Sequence, residues 1–379
     1  MKILLVDQFG EIGGAQRCLL EAAAGFRDRG WELAAAVPAG SPLTAALARH
    51  CRRVHGILCG PFRSSTKRLD DGLRFAAQVP LQAAILARLV RREHVDVVYV
   101  NGPRLLPAAC LARMGRAVIY HAHWMPSQQS ASKIARVALN WSSASVIVPS
   151  RLAVQWLGSS VRRERTFTIY NGVASGVAEA RRSESIAHIA VLGRISPEKG
   201  QLEFARAARI VCERIRGLRF TICGAPMFAD REYVDQVRGC AQGAVQFQEW
   251  TQDAPKFLSG IDLLVVPSLN DHIPRVILEA FAAGVPVLAF PSGAIPELVV
   301  HGETGLLVKE RTPEALAEAI LAAVAKPDAL SEMAARAHRL WRERYTLGRF
   351  QAEICDAVEV VYERRHRNPL KSARARAAA

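Results

Sequence analysis

The chain has 379 residues, half of them hydrophobic and 22% charged, a globular composition that suggests about two domains and excludes a disordered or fibrous protein. Its 50 basic and 35 acidic residues leave a net charge of +15, which favours anionic partners: nucleotides, phosphates, nucleic acid or an acidic membrane face. No 18-residue apolar run argues for a spanning helix, and the eight cysteines form no CxxC pair, so they read as reduced buried thiols of a cytoplasmic protein.

MKILLVDQFG lacks the long apolar region and cleavage site of a signal peptide and reads as a first strand, KILLVD (2–7). A helix pattern, AQRCLLEAAAGFRDRG (15–30), follows it. Further strands are expected at ELAAAV (32–37), DVVYV (96–100), AVIYHAH (117–123), SVIVPS (145–150) and TFTIYNG (166–172). The second half repeats the scheme with HIAVLGR (188–194), RFTICGA (219–225), VQFQEW (245–250), DLLVVPS (262–268), VPVLAF (285–290) and TGLLV (304–308). These runs are mostly continuous apolar rather than alternating, as parallel strands buried on both faces require.

Strand and helix alternate throughout, so the fold class is α/β: two Rossmann-like doubly wound domains facing across a cleft. The Asn-Gly turn of YNGV and the polar stretch ASGVAEARRSESIAH (174–188) place the boundary near residue 173. The expected organisation is 1–172 for the first Rossmann-like domain and 173–345 for the second. Residues 346–379 form a helix crossing back to the first domain, with a basic tail.

In open α/β sheets, ligands bind beyond the C-terminal strand ends, so the informative residues lie just after each strand. After the first strand, Gly10, Gly13 and Gly14 form a turn opening a helix, whose amides and dipole attract an anion. This is not the GxGxxG fingerprint, so nicotinamide chemistry loses support. His121 and His123 share one strand face. No third ligand sits at metal-binding spacing, and no metal site is expected. After HIAVLG, Arg194 and Lys199 lie on one loop and suit a diphosphate as planar fork and point charge. After DLLVVPS, Asp271 stands in a loop, Pro274 suits the first turn of a helix, and Glu279 falls within that helix among apolar neighbours. Sugar hydroxyls are suitable donors to such an acid. Each feature alone has a plainer reading, as a solvated loop, a structural histidine or a surface acid.

Taken together and in order, the pieces GGAQRCLL, HAHW, VPSRLAV, IYNGV, GRISPEKG, DHIPRVILEAFAAGVPVLAF and GAIPELVVHGETGLLV resemble the retaining glycosyltransferases of the GT-B architecture. In particular they resemble the glycosyl transferases group 1 family, and the similarity spans nearly the whole chain. The resemblance implies that Glu279 binds the nucleotide ribose and that Asp271 contacts donor-sugar hydroxyls. It implies that the backbone around Ile273, Pro274, Arg275 and Val276 approaches sugar and phosphate. Arg194 and Lys199 would neutralise the diphosphate with help from Gly13 and Gly14. His123 would line the sugar pocket, with His121 as the fallback. Two departures stand out: Asp replaces Glu at 271, one methylene shorter, and Pro274 replaces a glycine and removes an N–H.

The reaction implied is metal-independent, retaining transfer of a hexosyl group from a nucleotide-diphosphate sugar, UDP- or GDP-linked, to an acceptor hydroxyl, with no other cofactor. The acceptor would be a glycan or a lipid-linked molecule of cell-envelope or polysaccharide biosynthesis. A catalytically impaired nucleotide-sugar-binding partner of a glycan-assembly complex is the alternative, and an epimerase of the same shape is a more distant rival. The basic amphipathic segments 61–94 and 129–143 are candidates for peripheral contact with an anionic membrane. A nucleic-acid partner is not expected, because the basic residues are scattered and carry no RNP, KH or helix-turn-helix signature.

Overall fold

The computed structural model describes residues 1–60, 69–123, 129–158, 161–174, 185–226, 231–251, 253–271 and 273–366; residues 69–73, 129–131 and 156 are described in backbone only. The first part of the 61–94 segment, the WMPS that follows His123, most of the 174–188 stretch, His272 and the basic tail lie outside the described residues. The chain divides into two compact units. One holds the described residues up to Asn171 together with the helix Leu347–His366; the other runs Gly172–Thr346.

The first unit carries seven strands: β1 (Lys2–Val6), β2 (Glu32–Pro38), β3 (Arg53–Ile57), β4 (Val97–Val100), β5 (Ala117–His121), β6 (Ser145–Val148) and β7 (Thr166–Thr168). They form one sheet in the order β3-β2-β1-β4-β5-β6-β7, every pair parallel. Strand period two sends Leu4, Val6, Val98 and Val100 to one face and Ile3, Leu5, Val97 and Tyr99 to the other, all within 1% of full burial. Helices Leu69–Arg92, Leu106–Ala112 and Gln129–Ser142 cover the first face through Leu86, Leu106 and Leu139. Helices Gly14–Asp28 and Leu347–His366 cover the second through Leu19, Phe26, Phe350 and Ile354. Burying each such side chain contributes about 1.5–3 kcal/mol, which explains why the runs are apolar from end to end.

The C-terminal helix is tied to the first one. Arg29 bridges Asp356 at 2.7 Å and Glu359 at 3.0 Å, and Gln351 donates to the Glu21 carbonyl at 3.0 Å.

The second unit carries β8 (His188–Leu192), β9 (Arg219–Cys223), β10 (Val245–Gln248), β11 (Leu263–Val266), β12 (Val287–Ala289) and β13 (Leu306–Leu307). The order is β10-β9-β8-β11-β12-β13, again all parallel. In each sheet the strand order reverses direction at one place: between β1 and β4, and between β8 and β11. At such a switch point the helices leave to opposite faces and open a crevice beyond the strand ends.

Two α/β units of parallel strands match the fold expected from the sequence. The strand β3 was not anticipated: RVHGI is an edge strand with a glycine and exposed residues, so it lacks a continuous apolar run. All eight cysteines are free thiols, five of them buried. Among the described residues, no helix is long and apolar enough to cross a membrane.

Candidate functional site

The switch point of the second unit gathers Arg194, Lys199 and Asp271. Arg194 leaves the end of β8, and the loop then makes a 3-10 turn, Pro197–Lys199. Gly200 ends that turn at φ +71° and caps the helix Gln201–Arg214. A Cβ at Gly200 would lie 1.9 Å from the Pro267 carbonyl oxygen, so only glycine lets this loop press against the end of β11. Backbone bonds lock the two loops together: Leu269 and Asn270 N–H both donate to the Glu198 carbonyl, at 2.9 and 3.3 Å. The Gln201 side chain accepts from Ser196 N–H at 3.3 Å and donates to the Arg194 carbonyl at 2.7 Å.

On that frame the Lys199 ammonium meets the Asp271 carboxylate, although 72 residues separate them in sequence. The Lys199 side chain is 24% exposed and that of Asp271 12%. Asp271 also accepts from the Ser268 hydroxyl at 3.2 Å, and its N–H donates to the buried Ser292 hydroxyl at 3.0 Å. Arg194 pairs with Glu198 on its own loop. Two cations thus stand at one strand edge, each held by a carboxylate that an entering anion could replace.

Pro274 caps the helix Arg275–Ala283 in extended conformation (φ −72°, ψ 112°), one position before the first turn in which the sequence placed it. Ile273 and Val276 flank it and are half-buried. Glu279 lies one turn along the helix from Arg275, with the guanidinium 3.8 Å away and both side chains mostly buried. The geometry therefore brings Arg194, Lys199, Asp271 and the start of this helix to one edge of one sheet.

The switch point of the first unit holds a polar chain that the sequence reading missed. Asp7, at the end of β1, is fully buried and accepts from Phe9 N–H (2.9 Å), from the Gln16 amide (3.0 and 3.3 Å) and from the Asn101 amide (2.6 Å). Asn101 directly follows β4, and its side-chain Oδ1 lies 2.8 Å from His123 Nε2. Burial pushes the Asp7 carboxyl up to about 6, against the lowering effect of these hydrogen bonds.

His121 corrects an expectation. It is fully buried, its Nδ1 lies 2.6 Å from the Tyr99 hydroxyl, and its ring packs against His123 with centroids 3.9 Å apart and planes tilted by 36°. Burial, with a smaller contribution from His123, holds its pKa well below the ordinary histidine value, so it stays a neutral imidazole. It supports His123 from behind, and the direct ligand contact foreseen for it has no opening.

The glycine turn also differs. Gly13 caps the helix Gly14–Asp28, and its N–H donates to Gln16 Oε1 at 3.2 Å, so the amide offered to a phosphate already has an acceptor. The missed residues had a signal. Asp7 and Asn101 are each the first polar residue after an apolar strand, in KILLVD and VVYVN.

Two family models match the chain. Residues 187–326 match the description glycosyl transferases group 1, and residues 12–175 match glycosyltransferase family 4; between them they span most of its length. A D-inositol 3-phosphate glycosyltransferase of Rhodococcus erythropolis is 34% identical over 160 residues, 40% of this chain and 36% of the relative. Its counterpart in Corynebacterium glutamicum is 33% identical over 141 residues, 35% of this chain and 34% of the relative. The match thus spans about a third of the length of each. Among solved structures, Anabaena Alr3699/HepE in complex with UDP-glucose superposes with a TM-score of 0.80 at 23% identity, over 95% of this chain and 100% of that one. Sucrose-phosphate synthase from Thermosynechococcus elongatus gives a TM-score of 0.80 at 17% identity, over 96% and 99%. The fold is that of the GT-B glycosyltransferases. With the ordered motifs along both units and the models that match them, the chain carries a glycosyltransferase family 4 domain at 12–175 and a glycosyl transferases group 1 domain at 187–326.

Proposed function

We propose that the chain transfers a sugar from a nucleotide diphosphate to an acceptor hydroxyl with retention of the anomeric configuration. The observation that carries this reading is the pairing of Lys199 with Asp271, beside Arg194, at the switch point of the second unit. The diphosphate displaces the carboxylates of Glu198 and Asp271 from the two cations, and Glu279 takes the ribose hydroxyls. Asp271, once released, turns to the donor sugar. As the anomeric carbon–oxygen bond breaks, charge grows on the leaving phosphate. Arg194, Lys199 and the start of the helix at Arg275 stabilise it. The acceptor oxygen attacks from the same face, and its proton passes to a leaving phosphate oxygen. His123 lines the sugar pocket. The two cations supply the charge that a divalent ion supplies elsewhere, so the reaction runs without one. The HepE complexes with UDP-glucose and UDP support a uridine donor.

A thermal-shift panel with UDP, GDP, ADP and TDP tests the donor site. A diphosphate at a hundred times its Kd stabilises by about 2.7 kcal/mol. The expected result is a shift with UDP that disappears in the Arg194→Ala/Lys199→Ala variant. If no diphosphate shifts the wild type, the donor-site assignment fails.

The acceptor is read as lipid-linked or as a glycan of the cell envelope, reached at an anionic membrane surface. A surface groove of about 540 Å³ runs between the helices Leu106–Ala112 and Gln129–Ser142, and its lining is almost wholly apolar. Trp141, Val137, Leu111 and Ile134 are each 45–60% exposed there. Residues 97–163 contain eight Lys and Arg and no Asp or Glu, and the Arg113 guanidinium lies 5.2 Å over the Trp141 ring. An apolar strip within an acid-free basic region complements an anionic bilayer, where each cation adds about 1 kcal/mol. Sedimentation with phosphatidylglycerol vesicles should pull the protein down. Neutral phosphatidylcholine should not, and Val137→Asp/Trp141→Ser should weaken binding about tenfold or more. Equal recovery with both lipids, or concentration-dependent dimerisation through the same residues, would remove the membrane from this account.

A further inference from the structure

We propose that Asp7 is a positioning residue: acting through the Asn101 amide, it places the proton of the neutral His123 ring on Nε2, so that the ring carries its lone pair on Nδ1. The inference rests on the reading of His123 as a donor-site residue only for its catalytic consequence; the proton placement follows from the hydrogen bonds alone.

Asn101 is 3% exposed, and one end of its amide faces two partners: Asp7 Oδ2 at 2.6 Å and the Ala15 carbonyl oxygen at 3.2 Å. A backbone carbonyl can only accept, so that end is the NH2 group whatever the state of Asp7. The other end is then an oxygen, and it lies 2.8 Å from His123 Nε2. An amide oxygen also only accepts, so Nε2 must carry the hydrogen. The Ala15 carbonyl identifies this orientation, but the Asp7 bond is the much shorter of the two and is its main hold, and Asp7 is itself held. Gln16 donates to both of its oxygens, while Gln16 Oε1 accepts from Gly13 N–H, which prevents the Gln16 amide from flipping. Behind His123, the fully buried His121 packs against the ring with centroids 3.9 Å apart. The chain Gly13–Gln16–Asp7–Asn101–His123 therefore converts the end of β1 and the glycine turn into a tautomer constraint at the end of β5. Orientation of a histidine proton by a buried acid is worth much more in turnover than in binding.

The test is long-range 1H–15N correlation of the histidine rings at pH 8, with His123 assigned by the signals lost in His123→Gln. The wild type should show the proton on Nε2. In Asp7→Asn, one oxygen must serve donors that two oxygens served, and a mixture of tautomers should appear. The Asp7→Asn/Gln16→Glu pair returns an acceptor to the amide at position 7 and keeps one for Gly13 N–H, so the Nε2 proton should recover. Donor turnover should fall at least ~10-fold in Asp7→Asn with the donor KM little changed, and recover in the pair. A wild-type ring protonated on Nδ1 overturns the proposal without any variant having to fold. So does an Asp7→Asn ring unchanged from wild type. A tautomer that shifts while turnover stays constant upholds the positioning and instead removes His123 from the donor site.

Discussion

Lys199→Ala is expected to lower donor turnover about 100- to 1,000-fold, the scale on which single preorganised charge-stabilising groups act, while the second unit keeps its fold. The fold is spared because backbone bonds from Leu269 and Asn270 to the Glu198 carbonyl, not the lysine, hold the two loops together. Turnover is lost because the ammonium is a charge aimed at the place where the leaving phosphate gains its own. The partner variant separates two roles of Asp271. If its carboxylate only parks the lysine, Asp271→Asn frees the ammonium for the phosphate and costs little. If it also holds a sugar hydroxyl, Asp271→Asn falls nearly as far as Lys199→Ala, with kcat affected more than KM. Lys199→Arg keeps the charge but replaces a point with a fork, so an intermediate loss of about tenfold is expected. Single-turnover release of the nucleotide diphosphate measures all three. A Lys199→Ala enzyme within threefold of wild type would sink the assignment of this edge as the donor site.

The parallel sheets were legible because strands covered on both faces must be apolar throughout, as ILLV of β1 and LLVV of β11 are. The same rule overshot strand ends. The run 117–123 reads as one strand, yet β5 stops at His121, because burial continues past the last ladder bond. Arg53–Ile57 failed the rule as an edge strand needs less apolar surface. At the site, the loop after β8 and the acid after β11 were visible as residues, but not as an ion pair. Nothing local to either segment encodes a contact 72 residues apart; the adjacency of β8 and β11 does. The two histidines show the same limit. Their spacing placed them on one strand face, which the close contact of the two rings reflects. Which of the two faces outward depends on the helix Leu347–His366, whose Phe350 ring lies 6.4 Å from His121.

The stability of wild type relative to Asp7→Asn should fall by about 2 kcal/mol between pH 4 and pH 7. Burial raises the Asp7 carboxyl from 3.8 to about 6 in the folded chain, whereas in the unfolded chain it titrates at the ordinary value. Between those two values the folded state therefore binds more protons than the unfolded state. A rise in pH withdraws a proton that the fold retains more tightly, so stability drops across this window and stays lower above it. The sign is opposite to that of a salt-bridged acid. Glu93 lies below its ordinary value because Arg53 and neighbouring cations outweigh its burial, and it pushes the absolute curve the other way, which is why the difference between the two proteins is the quantity to measure. Hydrogen-bond mismatches around the substituted amide add only an offset that does not vary with pH. Urea unfolding midpoints of both proteins, taken at half-unit steps, give the difference directly. A flat difference would mean that the donors from Phe9, Gln16 and Asn101 fully offset the burial of the charge. A rising one would mean that they exceed it, and that the fold holds the Asp7 carboxyl below its ordinary value.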